Sequence, residues 1–230
     1  MLAQSFMNAL NQDLQEINAS TVRMLSLVRE QTELAKRALI DNDTEAAAAC
    51  VELDANGVDP LMMSLEQRIL TVIARRQPAA TDLRFLVATY RALADIERAG
   101  DYATHVARAG AELASEAPLK KYNDMKRILE ILSAMIEQTI SALADSSVEG
   151  AKKAHAMDKE IDNLYEQIQR ELLTFMMEDP HSIGAATKLL SVARQLERLG
   201  DHLENVNEHI VFWLTNERFE GYPDSNEPVG

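Results

Sequence analysis

Phe6, Leu10, Leu14, Ile17, Thr21, Met24 and Val28 recur every three or four positions and so share one face of a long first helix. The pattern ends near Asp41-Asn42-Asp43, and a second helical stretch is predicted from about Thr44 to Arg76. Gln77-Pro78 closes it, and Thr81-Asp82 offers capping side chains for a third helix from Leu83 to about Leu113. Ser115 to Pro118 interrupts the periodicity. A fourth helix is predicted from Leu119 to Leu143, with Ile128, Leu132, Met135, Thr139 and Ala142 on one face. Asp145-Ser146-Ser147 turns the chain into a fifth that runs to about Met177, where Glu178-Asp179-Pro180 stops it. The sixth has the most regular seam: Val192, Leu196, Leu199, Leu203, Val206, Ile210 and Trp213 alternate in steps of four and three. Arg218 to Gly230 has no periodicity and reads as a tail.

Helices of about 30 residues span about 45 Å, and short turns between them make neighbours antiparallel. The chain also repeats itself. Glu97-Arg98-Ala99-Gly100-Asp101 and Glu197-Arg198-Leu199-Gly200-Asp201 differ at one position of five, and Gln77-Pro78 pairs with Asp179-Pro180. Helices one to three and four to six are thus two copies of one unit. The expected fold is all-α: two tandem three-helix bundles built from six long antiparallel helices, at residues 1–116 and 117–217, with a tail at 218–230.

Composition narrows the function. With 23 Lys plus Arg against 37 Asp plus Glu the formal charge is -14, which disfavours nucleic acid and anionic bilayers and favours cations or basic protein surfaces. Eight Gly, six Pro and 5% aromatic residues are too few for a sheet-rich chain. Cys50 is alone, so no intrachain disulfide forms and a buried apolar role is expected. No apolar run approaches the roughly 18 to 20 residues of a membrane span, and the first residues lack the basic start of a secretory signal. A cytoplasmic location is the expectation.

The candidate chemistry lies in the repeat. Each copy places a Gly inside a helix, at a cost of about 1 kcal/mol against Ala, beside a like-charged pair one turn apart. Glu197 and Asp201 fall on the outer side of the sixth helix, Glu97 and Asp101 take the same phase in the third, and Asp158 and Asp162 are a further i, i+4 pair in the fifth. Converging pairs would hold a hard cation through oxygen, whereas separate ones would be solvated surface partly neutralised by Arg98 and Arg198. The duplicated internal Gly weighs toward the cation, whereas Gly100 and Gly200 could instead serve only to let a neighbouring helix approach closely. The first copy departs upstream: Ala55 stands where the second has Asp158, and Asp54 is one residue out of register. Asp59, before Pro60, reads as a helix start. His105 lies one turn beyond Asp101 as a further ligand candidate, but Asn205 takes its place in the second copy. Arg84 and Arg91 form a possible contact face. Neither a Glu-x-x-His pair of the ferritin kind nor a Gly-rich phosphate loop is present, and no anion site is visible.

Arg76-Gln77-Pro78, Asp82-Leu83-Arg84, the two Glu-Arg-x-Gly-Asp motifs and Met176-Met177-Glu178-Asp179 together resemble the PhoU family of bacterial phosphate-uptake regulators, from the first helix to about Trp213. The resemblance implies a cytoplasmic, often dimeric adaptor without catalytic activity, peripheral to the inner membrane through its partners. Those partners would be the ATPase subunit of the phosphate ABC transporter and the phosphate sensor histidine kinase, both restrained when phosphate is plentiful. It also implies multinuclear divalent or iron-type metal sites. By position these fall on Asp59, Glu97 and Asp101 in the first copy and on Asp158, Asp162, Glu197 and Asp201 in the second. The competing reading is a carboxylate-bridged metalloenzyme or a metal-storage protein.

Overall fold

Long Ala- and Leu-rich runs with few breakers fold into helices wherever the sequence carries a 3.6-residue apolar period. The computed structural model describes residues 2–115 and 118–217. The expected unit boundary at 116–117 and the tail at 218–230 lie outside them, as does the side chain of Phe6. The helices are α1 (Leu2–Ile40), α2 (Thr44–Leu53), α3 (Asp59–Arg76), α4 (Ala80–Leu113), α5 (Asn123–Asp145), α6 (Val148–His155), α7 (Asp158–Glu178) and α8 (Ile183–Thr215). Among the described residues there is no strand.

The six expected rods are present, and two of them are irregular along their length. The rod from Thr44 to Arg76 contains a π-helical turn at Asp54–Val58. The fifth parts into α6 and α7 at Ala156 and Met157, where the Met157 N–H reaches back only three residues to the Ala154 carbonyl (3.0 Å). Asp43 and Ser147 start these two rods in the same way, by accepting hydrogen bonds from the N–H groups of Ala46 (2.9 Å) and Gly150 (3.0 Å). The third rod starts earlier than its capping residues indicate. Ala79 is extended, the helix begins at Ala80, and the Thr81 hydroxyl accepts from Arg84 (3.2 Å) rather than capping. The fourth starts later, at Asn123, because Leu119 and Tyr122 pack on the core from an irregular segment. Lys120 secures that segment by pairing with Asp124 and Glu171.

α1, α4, α8 and α5 pack in a ring as a central four-helix bundle. α2 and α3 cover α1 and α4 on one side, and α6 and α7 cover α5 and α8 on the other. One apolar core runs through both repeats, including Met24 and Val28 of α1, Leu93 and Ile96 of α4, Leu132 of α5 and Leu203 of α8. Each such side chain contributes about 1.5–3 kcal/mol on burial. The sixth-helix seam is buried as its period predicts, except that Trp213 is half-buried and packs its ring 4.8 Å from Phe85. Cys50 is fully buried, and burial pushes its thiol up to about 11. No helix among the described residues is long and apolar enough to cross a membrane.

Candidate metal centres

α7 opens with Asp158, and one turn later Asp162 projects from the same side. α8 passes alongside and brings up Asp201. One carboxylate oxygen from each of these three residues falls within a 4.8 Å cluster. Asp158 is 4% exposed, and its Oδ1 has no hydrogen-bond partner. Glu197 Oε2 is also buried without a partner. Burial, then the charges of Glu204, Asp162, Asp201 and Glu197, push the Asp158 carboxyl up to about 8. Glu197 is raised by burial and by Asp201, and Asp201 by burial and Asp162, both against the pull of Arg198. Asp162 is raised by burial and Glu166.

Arg198 stands at the rim, its guanidinium 3.4 Å from Asp201 and 3.8 Å from Glu197. Arg98 repeats this at 3.2 Å from Asp101 and 3.8 Å from Glu97. The neutralising arginines expected from sequence are therefore present, but they leave Asp158 unpaired in the interior. An orphaned buried oxygen within an all-carboxylate set fits a hard cation and fits solvated surface poorly.

The first copy has the same arrangement, corrected at one residue. Asp54 and Asp158 are each the eleventh residue after their N-caps, so Asp54, and not Ala55, is the counterpart of Asp158. Asp59 then falls at i+5 from Asp54, whereas Asp162 falls at i+4 from Asp158. The π turn absorbs the additional residue: the Asp59 N–H bonds to the Asp54 carbonyl, and the two carboxylates return to one face. Asp59 thus sits inside a continuous rod rather than capping a new one. Asp54 is raised by burial and Asp101, Asp59 by burial and Asp54, and Glu97 by burial and by Asp101, Asp59 and Asp54. Sequence periodicity missed Asp54, and the signal that finds it is the equal distance from the two N-caps.

The glycines explain why the helix carries them. A Cβ at Gly200 would collide with Asp158 Oδ1, and one at Gly100 would lie 2.7 Å from Gln31 Oε1. At both positions the missing side chain makes room for a buried polar oxygen, rather than for a neighbouring backbone. Gln31, on α1, donates to Asp54 Oδ1 (2.8 Å) and to the Thr104 hydroxyl (3.3 Å), and its own Oε1 has no partner. This glutamine, fully buried, was not legible as part of the site. His105 is exposed, its ring in a T-shaped contact with Tyr102, and it lies outside the cluster of possible ligands found among the described residues.

Two copies of a three-helix unit, each with carboxylates from its second and third rods set against a helical glycine, define a class of duplicated helical proteins with paired acidic centres. Comparison with known proteins gives the class a family. The PhoU domain model matches twice, at residues 21–110 and 125–210. A phosphate-specific transport system accessory protein PhoU homolog from Deinococcus radiodurans is 42% identical over 210 residues, covering 91% of this chain and 98% of the relative. The Escherichia coli accessory protein PhoU is 29% identical over 91% of this chain and 86% of its own. The crystal structure of PhoU from Pseudomonas aeruginosa superposes with a TM-score of 0.86 at 31% identity, covering 90% of this chain and 99% of that one. The chain belongs to the PhoU family, whose named members are accessory proteins of phosphate transport and not enzymes.

Proposed function

We propose that this protein is a regulatory adaptor of phosphate homeostasis that restrains phosphate uptake and the phosphate-starvation response when phosphate is plentiful. It acts by docking on the ATPase subunit of the phosphate transporter and on the sensor histidine kinase. The observation that carries this reading is the near full-length similarity to accessory proteins of the phosphate-specific transport system. Further support comes from α4, where Leu83, Val87 and Tyr90 recur at i, i+4 and i+7 with 38%, 36% and 39% exposure beside the exposed Arg91. An apolar stripe with a basic edge suits a protein partner. The acidic centres hold hard cations that tie α7 to α8 and the second rod to α4, and so fix the faces presented to partners.

The test is secreted alkaline phosphatase output in phosphate-rich medium after deletion of the gene from its host. Output rises on deletion, the wild-type gene restores repression, and Val87→Glu restores it poorly while remaining folded. Unchanged output on deletion overturns the reading.

A further inference from the structure

The α4–α8 interface has a pseudo-twofold relation, because a shift of 100 residues exchanges its two halves. Tyr102 and His202, equivalent residues, stack face to face near its middle, with ring centres 5.5 Å apart. In one half, Asp95 of α4 accepts hydrogen bonds from His202 (2.9 Å), Asn205 (3.2 Å) and His209 (3.2 Å) of α8. His209 and Trp213 fill the space beyond, and only about 10 Å³ is left. In the other half Gln195 replaces Asp95, Ala109 replaces His209 and Leu113 replaces Trp213. The smaller Ala109 and Leu113 leave a cleft of about 330 Å³.

The lining of that cleft is basic although the chain as a whole is acidic. Arg108 and His105 reach it from α4, Lys188 and Ser191 from α8, and Glu112 is the one carboxylate among the described lining residues. Gln195 Oε1 is buried there without a partner, and its amide can turn to present either C=O or NH2.

We propose that this cleft binds a small oxyanion of the phosphate type. Guanidinium, ammonium, imidazole and hydroxyl groups line the cleft from two helices, a donor set that suits a tetrahedral group with several acceptor oxygens. The Gln195 carbonyl accepts from the O–H of a monoprotonated phosphate. The volume exceeds a bare phosphate and admits a small phosphate ester as well. Binding ties α4 to α8 in the half that lacks the Asp95 clasp. The proposal stands on the cleft alone and does not depend on the adaptor reading.

The full chain, stripped of metal and kept in excess chelator, is titrated with inorganic phosphate, glycerol 3-phosphate and sulfate while ¹⁵N-labelled amides are followed by NMR. The expected result is saturable shifts centred on Ser191 and the Gln195 side-chain amide, with a Kd of about 1 mM or tighter for at least one phosphate compound. Arg108→Gln or Lys188→Gln weakens binding by about tenfold or more. The double variant Ala109→His, Gln195→Asp copies the closed half and abolishes binding, with helicity checked by circular dichroism. Tighter binding of inorganic phosphate identifies the free ion as the ligand, and tighter binding of the ester identifies a phosphorylated metabolite. Shifts that do not saturate, or that persist unchanged in Arg108→Gln and Lys188→Gln, overturn the proposal. Sulfate bound as tightly as phosphate overturns the role given to the Gln195 carbonyl.

Discussion

Asp158 has the most exposed consequences of any single side chain, because it is interior, carboxylic and unpaired. Its folded pKa is raised to about 8, so between the ordinary carboxylate range and that value the unfolded chain holds fewer protons than the folded one. Stability of the metal-free protein therefore falls as pH rises through this window. Thermal unfolding in chelator from mildly acidic to mildly alkaline pH should show a falling midpoint, and Asp158→Asn should flatten most of the slope. A bound hard cation displaces the same proton, so affinity for Mn²⁺ or Mg²⁺ should increase with pH in calorimetric titrations, and Asp158→Asn should remove that increase.

Among elements, the helical glycines separate three environments that sequence cannot distinguish. Gly110 lets α4 approach the end of α1, where a Cβ would lie 2.7 Å from the Leu39 nitrogen and 2.8 Å from the Ala38 carbonyl carbon. Backbone cannot step aside, so Gly110→Ala should lose about 1–3 kcal/mol in urea unfolding. At Gly184 a Cβ meets nothing within 4 Å, and Gly184→Ala should gain up to about 1 kcal/mol. Gly200→Ala lies between these: the helical gain is set against a displaced Asp158, and the clearer effect should be a loss of about tenfold or more in cation affinity. The π turn is a similar case. The two Asp residues of the first copy look misaligned to any reading that assumes 3.6 residues per turn, and a single i→i+5 turn restores them.

At the scale of the molecule, the repeats are joined through α4 and α8, and the Asp95 clasp is the polar part of that joint. Burial alone would raise the Asp95 carboxyl, but hydrogen bonds from His202, His209 and Asn205 bring it down to about 2. Here the unfolded chain holds more protons between the ordinary carboxylate value of 3.8 and about 2, so this contribution is complete above that window and lost as pH falls through it. Asp95→Ala should destabilise by about 3 kcal/mol at neutral pH, measured by urea unfolding, with the difference vanishing in strong acid. The two opposed effects place the stability optimum of the metal-free protein near the ordinary carboxylate value, well on the acid side of neutrality.

The sequence by itself determined the helices, their amphipathic faces, the duplication and the acid pairs at i, i+4, because each is set by spacing within one segment and by a regular period. Tertiary structure alone decided the rest. The partner of Asp59 is Asp54 because the whole rod is held in place by its cap and its packing, and one turn had to deform to fit. Gln31 joins the first centre because α1 runs beside α4, across a separation no local pattern records. The basic cleft gathers Arg108 and Lys188 from different repeats of a chain whose net charge gives no sign of it. Periodicity specifies which face of a helix turns inward. What that face meets is settled only when all six rods share one core.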